Sequence, residues 1–495
     1  MLVIYEMRKL YNILYMLLLM FVAAACTDDD SFTVSASHKL TFSEDTLHMD
    51  TVFSSVPTRT KIFKVYNKSG DGLRCSKIRL DRGNQTGFRV NVDGTYLGKV
   101  NGFMTSDVEI RDKDSIMVFV ELTSPENGRL TPQRLQDKLI FMLESGVQQE
   151  VVLTADSWDA DIKHDLVIKG DTVVKSDKPI VIYGGIKVDS GAVMRVQPGT
   201  TIYFHPDAGI EVYGQLFAEG TPDNPVVLRG DRLDNMFDYL SYDEVSGQWR
   251  GITFRESSYG NVIKNTDIHS AAYGVVCDSS GIDRTKLTLE SSIVHNCSHD
   301  CVKIVNSKAD ITNCQITNSG GECLYVIGGD VNVINCTVAQ FYPFSADRGN
   351  ALTYTHLIGE TAYPLKNLNL VNSLVTGYSN DVIMFYQGED ESIDHNYIFD
   401  HCVLRTPAIE KDTFNLINNI WADVQDTISY GKKHFVLIDG DKQKYDFHLA
   451  PRSKAIGGAD VSKMPQDDLD GKIRKRNDIG CYEADSVATD TTNII

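Results

Sequence analysis

The repeats of this chain of 495 residues carry no apolar 3.6-residue period. That absence removes helical solenoids and bundles as fold classes. Long apolar runs are nearly missing too. Only Ile13–Ala25 is continuously apolar, for 13 residues, whereas a membrane-spanning helix needs about 20. Positive charge is short, with 48 Lys and Arg against 67 Asp and Glu and a net charge of −19. So acidic a surface repels nucleic acid and anionic membrane and favours solubility. A polyanionic glycan would need a local basic patch or a bridging cation. There is no nucleophile elbow, no P-loop, no dinucleotide fingerprint and no Cys/His set with zinc spacing.

The one apolar run follows Met7-Arg8-Lys9, the basic start of a signal peptide. It ends in Ala23-Ala24-Ala25-Cys26, which resembles a bacterial lipobox, with Ala23 where Leu is usual. That resemblance implies that Cys26 is diacylated and becomes the first residue. Thr27-Asp28-Asp29-Asp30 follows. Acidic residues at this place resemble the signal by which Bacteroidota lipoproteins reach the outer cell surface. The expectation is a signal peptide over 1–25, an acidic tether over 26–39, and a lipid anchor in the outer membrane facing the exterior.

Between Asn265 and Pro407 one short phrase recurs: NTDIHS, SSIVHN, CQITNS, CTVAQF, NSLVTG and HCVLRT. Its branched centres are Ile268, Ile293, Ile316, Val338, Leu374 and Val403, at gaps of 25, 23, 22, 36 and 29 residues. So short a unit must stack on its neighbours to bury its apolar face. A brief β-type run between polar corners is one coil of a parallel β-helix, and the two long gaps are coils with lengthened loops. Stacking at about 4.8 Å lays small polar side chains over one another in ladders. Nine cysteines remain once Cys26 is set aside. Those in the repeats read most simply as inward-pointing free thiols, the alternative being disulfides between the stacked pairs Cys314 and Cys336 or Cys301 and Cys323.

Upstream, the run from Pro179 to Phe254 resembles the opening coils of bacterial right-handed parallel β-helix proteins. The match lies at Gly191, Ala192, Pro198, Gly199, Thr200, Ile202, Phe204, Gly214, Leu216, Ala218, Gly220, Thr221, Pro225 and Val226. Tyr445–Glu483 resembles the terminal module of the same proteins. Before the solenoid, about seven alternating strands separated by Gly, Asn and Asp turns argue a β-sandwich. They resemble the immunoglobulin-like domains of Bacteroidota surface lipoproteins. The fold class expected is therefore all-β: a sandwich over 40–155, a right-handed parallel β-helix over 165–430, a C-terminal capping module over 431–485, and a disordered tail over 486–495. The acidic link 156–161 is the expected joint.

Aligning the second strand of each coil places Asp300, Glu322, Asn350 and Asp381 at one corner. Carboxylates about 5 Å apart repel and collect cations, so Asp300, Glu322 and Asp381 are candidate ligands of Ca²⁺, with His299 and Lys303 close by. The competing reading is a row of solvated turn residues. Asp468-Leu469-Asp470-Gly471 is half of an EF-hand loop and reads as a turn. His269 and His295 follow their repeat centres by one and two residues, which predicts opposite sides of their strands. Trp249 and Trp421 are candidates either for stacking on sugars or for filling the core. No catalytic residue is assigned. The function expected is non-catalytic binding of a polysaccharide or a surface protein. The alternatives are a polysaccharide lyase or glycoside hydrolase, and a structural envelope component.

Overall fold

The computed structural model describes residues 31–237, 239–386, 392–409 and 411–486. The signal peptide, Cys26, the three aspartates after it and most of the tail lie outside these residues. The described chain is nearly all β, with four short 3-10 turns and no α-helix. It divides into Met1–Asp159 and Ala160–Ile495. Within the stretch 156–161, the expected joint, the strand Gln148–Trp158 ends and Asp161–Ile168 begins.

The first unit is a sandwich of two sheets, of five and six strands. Phe63, Val65, Val90, Val118 and Val120 from one sheet meet Ile78, Leu139, Phe141 and Leu153 from the other in a shared buried core. Alternation explains this, since successive side chains of a strand point to opposite faces. In Phe88–Val92, for example, every second residue is buried.

The second unit is a parallel β-helix, each coil passing through three faces. Thr285–Glu290, Lys308–Thr312, Gly329–Ile334 and Leu365–Val371 build the first face. The second is built by Thr266–His269, Ile293–Cys297, Gln315–Ser319, Thr337–Gln340 and Leu374–Gly377. Val275–Cys277, Val302–Val305, Leu324–Ile327, Leu352–Thr355 and Ile383–Tyr386 build the third. The matched glycines of the opening coils have steric reasons. Gly199 has a φ of 77°, and a Cβ on Gly214 would lie 2.1 Å from the carbonyl oxygen of Ala192.

One backbone feature sets the coil register. The corner before the second face holds a left-handed residue in each of the six repeat coils: Asn265, Ser291, Asn313, Asn335, Asn372 and His401, with φ between 43° and 59°. Asn visits this region at low cost because its short side chain bonds locally. The next residue inward is Thr266, Ser292, Cys314, Cys336, Ser373 or Cys402, and these form a continuous buried ladder. The Cys314 thiol donates to the Thr312 carbonyl at 3.1 Å, and the Cys336 thiol accepts from the Cys314 amide at 3.4 Å. Ser373 repeats both bonds, donating to Val371 at 2.9 Å and accepting from the Cys336 amide at 3.1 Å. Hydroxyl and thiol are interchangeable here because each gives one hydrogen and takes one. All nine described cysteines are free and buried.

This register corrects the repeat alignment by one residue in three coils. The inward row is Ile268, Val294, Ile316, Val338, Val375 and Leu404. Ile293, Leu374 and Val403 point outward instead, because the left-handed residue falls at Ser291, Asn372 and His401. Thr317 is fully buried despite pointing out of the coil. What covers this face is the terminal module, which lies along the flank of the stack. Phe435, Phe447, Ile479 and Tyr482 form one apolar cluster with Leu374 and Val403. Arg474 donates to Asn313 Oδ1 at 2.8 Å, and the Tyr482 hydroxyl donates to Gln315 Oε1 at 2.9 Å. Within the module, the Asp468 carboxylate takes the amides of Asp470 and Lys472, so the half EF-hand is a turn.

Two outcomes follow for stability. Cys314→Ser keeps both ladder bonds and is expected to cost under about 1 kcal/mol. Cys314→Val strands the Ser292 amide that bonds this thiol, a loss of about 1–3 kcal/mol. Equal melting losses for the two would show that the ladder bonds are not what holds this row. The second outcome concerns His448, held between Asp470 at 3.0 Å and Asp446 at 2.6 Å. The Asp470 bond outweighs partial burial and, with Asp446, raises the imidazole to about 9, while Asp470 falls to about 2. The histidine's contribution is complete below its unfolded value of about 6.5 and fades as pH rises through 9. The aspartate's contribution is complete above about 3.9 and fades as pH falls towards 2. Protection of 444–449 against hydrogen exchange, compared between wild type and His448→Gln, should therefore differ most between these limits. The difference should vanish above pH 9, and a difference persisting at pH 10 would refute the assignment.

Candidate functional site

The outward row of the second face begins with charge. Arg229, His269 and His295 stand one above another, because Leu228 pairs with Ile268 and His269 pairs with His295. The two imidazoles therefore share one side of the sheet, with ring centroids 4.9 Å apart. Sequence spacing put them on opposite sides only because Ile293 stood in for Val294. Asp267, two residues before His269 on the same side, bonds both. Its Oδ1 lies 3.0 Å from His269 Nδ1 and 3.3 Å from His295 Nε2.

A long insertion, residues 231–251, leaves the corner between the second and third faces and returns over this row. Ser241 caps the 3-10 turn Tyr242–Glu244 by accepting the Asp243 amide. Trp249 pins the return, stacking on Phe204 at 4.4 Å and donating to the His269 carbonyl at 2.8 Å. It is a core residue, not a sugar platform, and Trp421 likewise packs against the coil interior. The insertion delivers Asp243, whose Oδ1 lies 2.8 Å from both His269 Nε2 and Arg229 Nη2. Glu244 beside it accepts from Asn296 at 2.9 Å. Burial opposes charge on His269, but Asp267 and Asp243 overcome it and raise the imidazole to about 10. Burial likewise opposes charge on Asp267, and the two histidines overcome it to hold the carboxyl well below its usual range.

Between the insertion and the terminal module lies a groove of about 430 Å³. Glu244 of the insertion lines it with His295, Gln315 and Asn318 of the coils, and Gln443, Tyr445, Asp446, His448 and Tyr482 line it from the module. Planar hydrogen-bonding groups thus alternate with aromatic rings, the His448 and Tyr482 rings being 4.1 Å apart.

The candidate row on the third face is arranged differently. Asp300, Glu322, Asn350 and Asp381 do stack at one corner, as the strand pairings require. Their carboxylates face the chain, however. Asp300 accepts the Glu322 amide at 2.9 Å, Glu322 accepts the Asn350 amide at 2.7 Å, and Asp381 accepts the Ile383 amide at 3.2 Å. Burial raises the Glu322 carboxyl against its bonds from Thr353 and Asn350. Lys303 lies 3.7 Å from Asp300, and His299 stacks on Tyr273 at 4.7 Å. Asp300 and Glu322 are corner caps that satisfy the next coil, Asp381 caps the start of its own strand, and among the described residues the three do not converge on one point. The groups whose ligand atoms fall within 4.8 Å of one another are Asp267, His269 and His295, and Asp400, His401 and Asp460. In the second of these Lys463 already neutralises Asp400 at 2.7 Å.

Residues 167–338 match the family model described as right handed beta helix region. A stretch of 143 residues is 27% identical to Protein bark beetle of Drosophila melanogaster, covering 26% of this chain and 4% of that protein. The chain thus spans a small fraction of that relative. Among solved structures, the catalytic unit of a thermostable GH87 alpha-1,3-glucanase from Streptomyces thermodiastaticus strain HF3-3 aligns over 72% of this chain and 75% of its own. Identity there is 10% and the TM-score 0.24. An ASH/PapD-like domain of human CEP192 aligns over 25% of this chain and 88% of its own, at 9% identity and a TM-score of 0.16. At such scores neither likeness carries an argument about activity. The fold is a β-sandwich followed by a right-handed parallel β-helix, and the family match agrees with it over the helix.

Proposed function

We propose that the second unit binds a glycan in the groove of its second face without cleaving it, and that the mature chain is displayed from the outer membrane on a lipid at Cys26. The observation that carries the binding reading is the groove lining. Vicinal sugar hydroxyls are matched by Glu244, Gln315, Gln443 and Asp446, and a sugar's apolar face by the ring of Tyr445. A few convergent polar groups in a concave site are the usual form of a ligand pocket. The net charge of −19 favours a neutral or cationic glycan over a polyanion.

The non-catalytic reading rests on how the charged groups are already paired. Glycoside hydrolysis needs one carboxylic acid to give a proton and a second carboxylate as base or nucleophile. Here Asp267 and Asp243 are ionised partners of His269, Glu244 is bonded to Asn296 and Asp446 to His448. A hydrolase is the second reading, favoured by the buried Asp and His groups at the edge of the groove.

A glycan array probed with the soluble chain from Thr27, with product analysis of the same incubations, separates the two. Retention without new reducing ends or unsaturated products supports binding, and new reducing ends support the hydrolase. Tyr445→Ala is expected to weaken retention roughly tenfold, about 1.4 kcal/mol, and Tyr445→Phe to preserve it. Wild-type retention by a folded Tyr445→Ala protein would remove the groove from the reading. For the anchor, Cys26→Ala should shift the protein out of the detergent phase or leave an unprocessed precursor. Unchanged partitioning would end the lipoprotein proposal.

A further inference from the structure

The geometry points to a site for one divalent transition-metal ion of the zinc type, held by Asp267, His269 and His295 at the edge of the groove. It stands whether or not the groove takes a glycan. The ligand atoms are already gathered, with Asp267 Oδ1 at 3.0 Å from His269 Nδ1 and 3.3 Å from His295 Nε2. Tetrahedral Zn²⁺ with bonds of about 2.0–2.1 Å needs ligand atoms about 3.3 Å apart. Two imidazoles and one carboxylate form a donor set suited to borderline cations, and a poor one for Ca²⁺, which takes six to eight oxygens.

A second, independent observation is the partner of the other ring nitrogen. His269 Nε2 lies 2.8 Å from Asp243 Oδ1, and Arg229 holds that carboxylate from the far side at 2.8 Å. Metal-bound histidines nearly always give their second N–H to such an acceptor, which fixes the ring and its tautomer. Asp243 is thus a positioning residue brought by the insertion, and the three proposed ligands come from two adjacent coils. His295 also lines the groove, so the remaining coordination position opens there, to water or to an oxygen ligand. The rigid strand pairing of Asp267 with Ile293 and of His269 with His295 keeps the donors in place without a metal. The second histidine-containing group, Asp400, His401 and Asp460, serves as the internal control because Lys463 occupies its charge.

The test uses the mature chain stripped with EDTA and titrated with Co²⁺ alone, then with Zn²⁺. One Co²⁺ per chain is expected, with the intense visible band of a four-coordinate ion that Zn²⁺ abolishes. Asp267→Asn and His295→Gln should each abolish the band while the β-sheet circular dichroism stays that of wild type. Asp243→Asn should weaken binding about 10–100-fold, and His401→Gln should change nothing. A folded wild-type chain that takes up no Co²⁺ saturably overturns the proposal. So does uptake undiminished in both Asp267→Asn and His295→Gln, or lost in His401→Gln alone.

Discussion

The left-handed residue at the corner before the second face governs the rest of the larger unit. At this point the chain must turn between two strands within one residue and still pass its amide to the next coil. Asn313 does so by giving its N–H to the Ile334 carbonyl at 2.8 Å, and Asn335 gives its own to Val371 at 2.9 Å. A residue in this conformation reverses the sense of the following side chain. The next position therefore points inward in every repeat coil, and the two after it alternate from there. That is why a small donor and acceptor such as Ser, Thr or Cys follows the corner, and why a branched apolar residue comes two positions later. A shift of one residue at the corner would turn Ile316 out and Gln315 into the coil interior, exchanging the two faces of the strand as any register slip does. The outward rows inherit the same precision, and Asp267, His269 and His295 converge because their corners are superimposed.

Much of this was legible in the sequence. Six repeats of polar corner and branched centre specify stacked coils, and the long gaps are the loops they suggest. What could not be read was which polar residue of each phrase takes the left-handed position. In CQITNS the Asn before Cys314 is the natural choice. In SSIVHN the choice lies between Ser291 and its neighbours, and at His401 an imidazole takes a place that elsewhere belongs to asparagine. Aligning on apolar centres therefore chose Ile293 over Val294. This one-residue error separated the histidines that the structure brings together. The remaining parts of the site are remote in sequence. Asp243 comes from a corner insertion and Tyr482 from the terminal module, and no local spacing connects either with His295.

The scarcity of positive charge makes the placement of the buried cations informative. Lys286 gives its ammonium to the carbonyls of Arg255 and Ser258 at 2.6 and 3.1 Å. Arg405 gives its guanidinium to the carbonyls of Ser379, Asp423 and Asp426. Arg474 reaches the carbonyls of Gly480 and Cys481 as well as Asn313. In each case the chain has left the strand ladder, at a corner or in the terminal module, and its carbonyls are only partly satisfied by local amides: Arg255, Asp423 and Cys481 each accept one backbone N–H besides the cation. A buried acceptor without a partner is costly, and one multi-donor cation satisfies two or three at once. The burial of these cations is thus a consequence of irregular backbone, and it marks where the solenoid departs from its repeat.

Those departures also make the groove. A regular coil presents a flat face with equivalent residues repeated every 4.8 Å or so, and a flat face encloses nothing. Residues 231–251 rise on one side of the second face, and the module with strands Phe435–Asp439 and Lys444–Leu449 lies on the other. The coils supply spacing and rigidity, while the insertion and the module supply walls and the groups that the repeat cannot carry. An insertion elsewhere on the stack could not substitute, because only this corner places Asp243 within bonding distance of His269. The chemistry of the site is therefore set by where the repeat is interrupted, and its precision by where it is not.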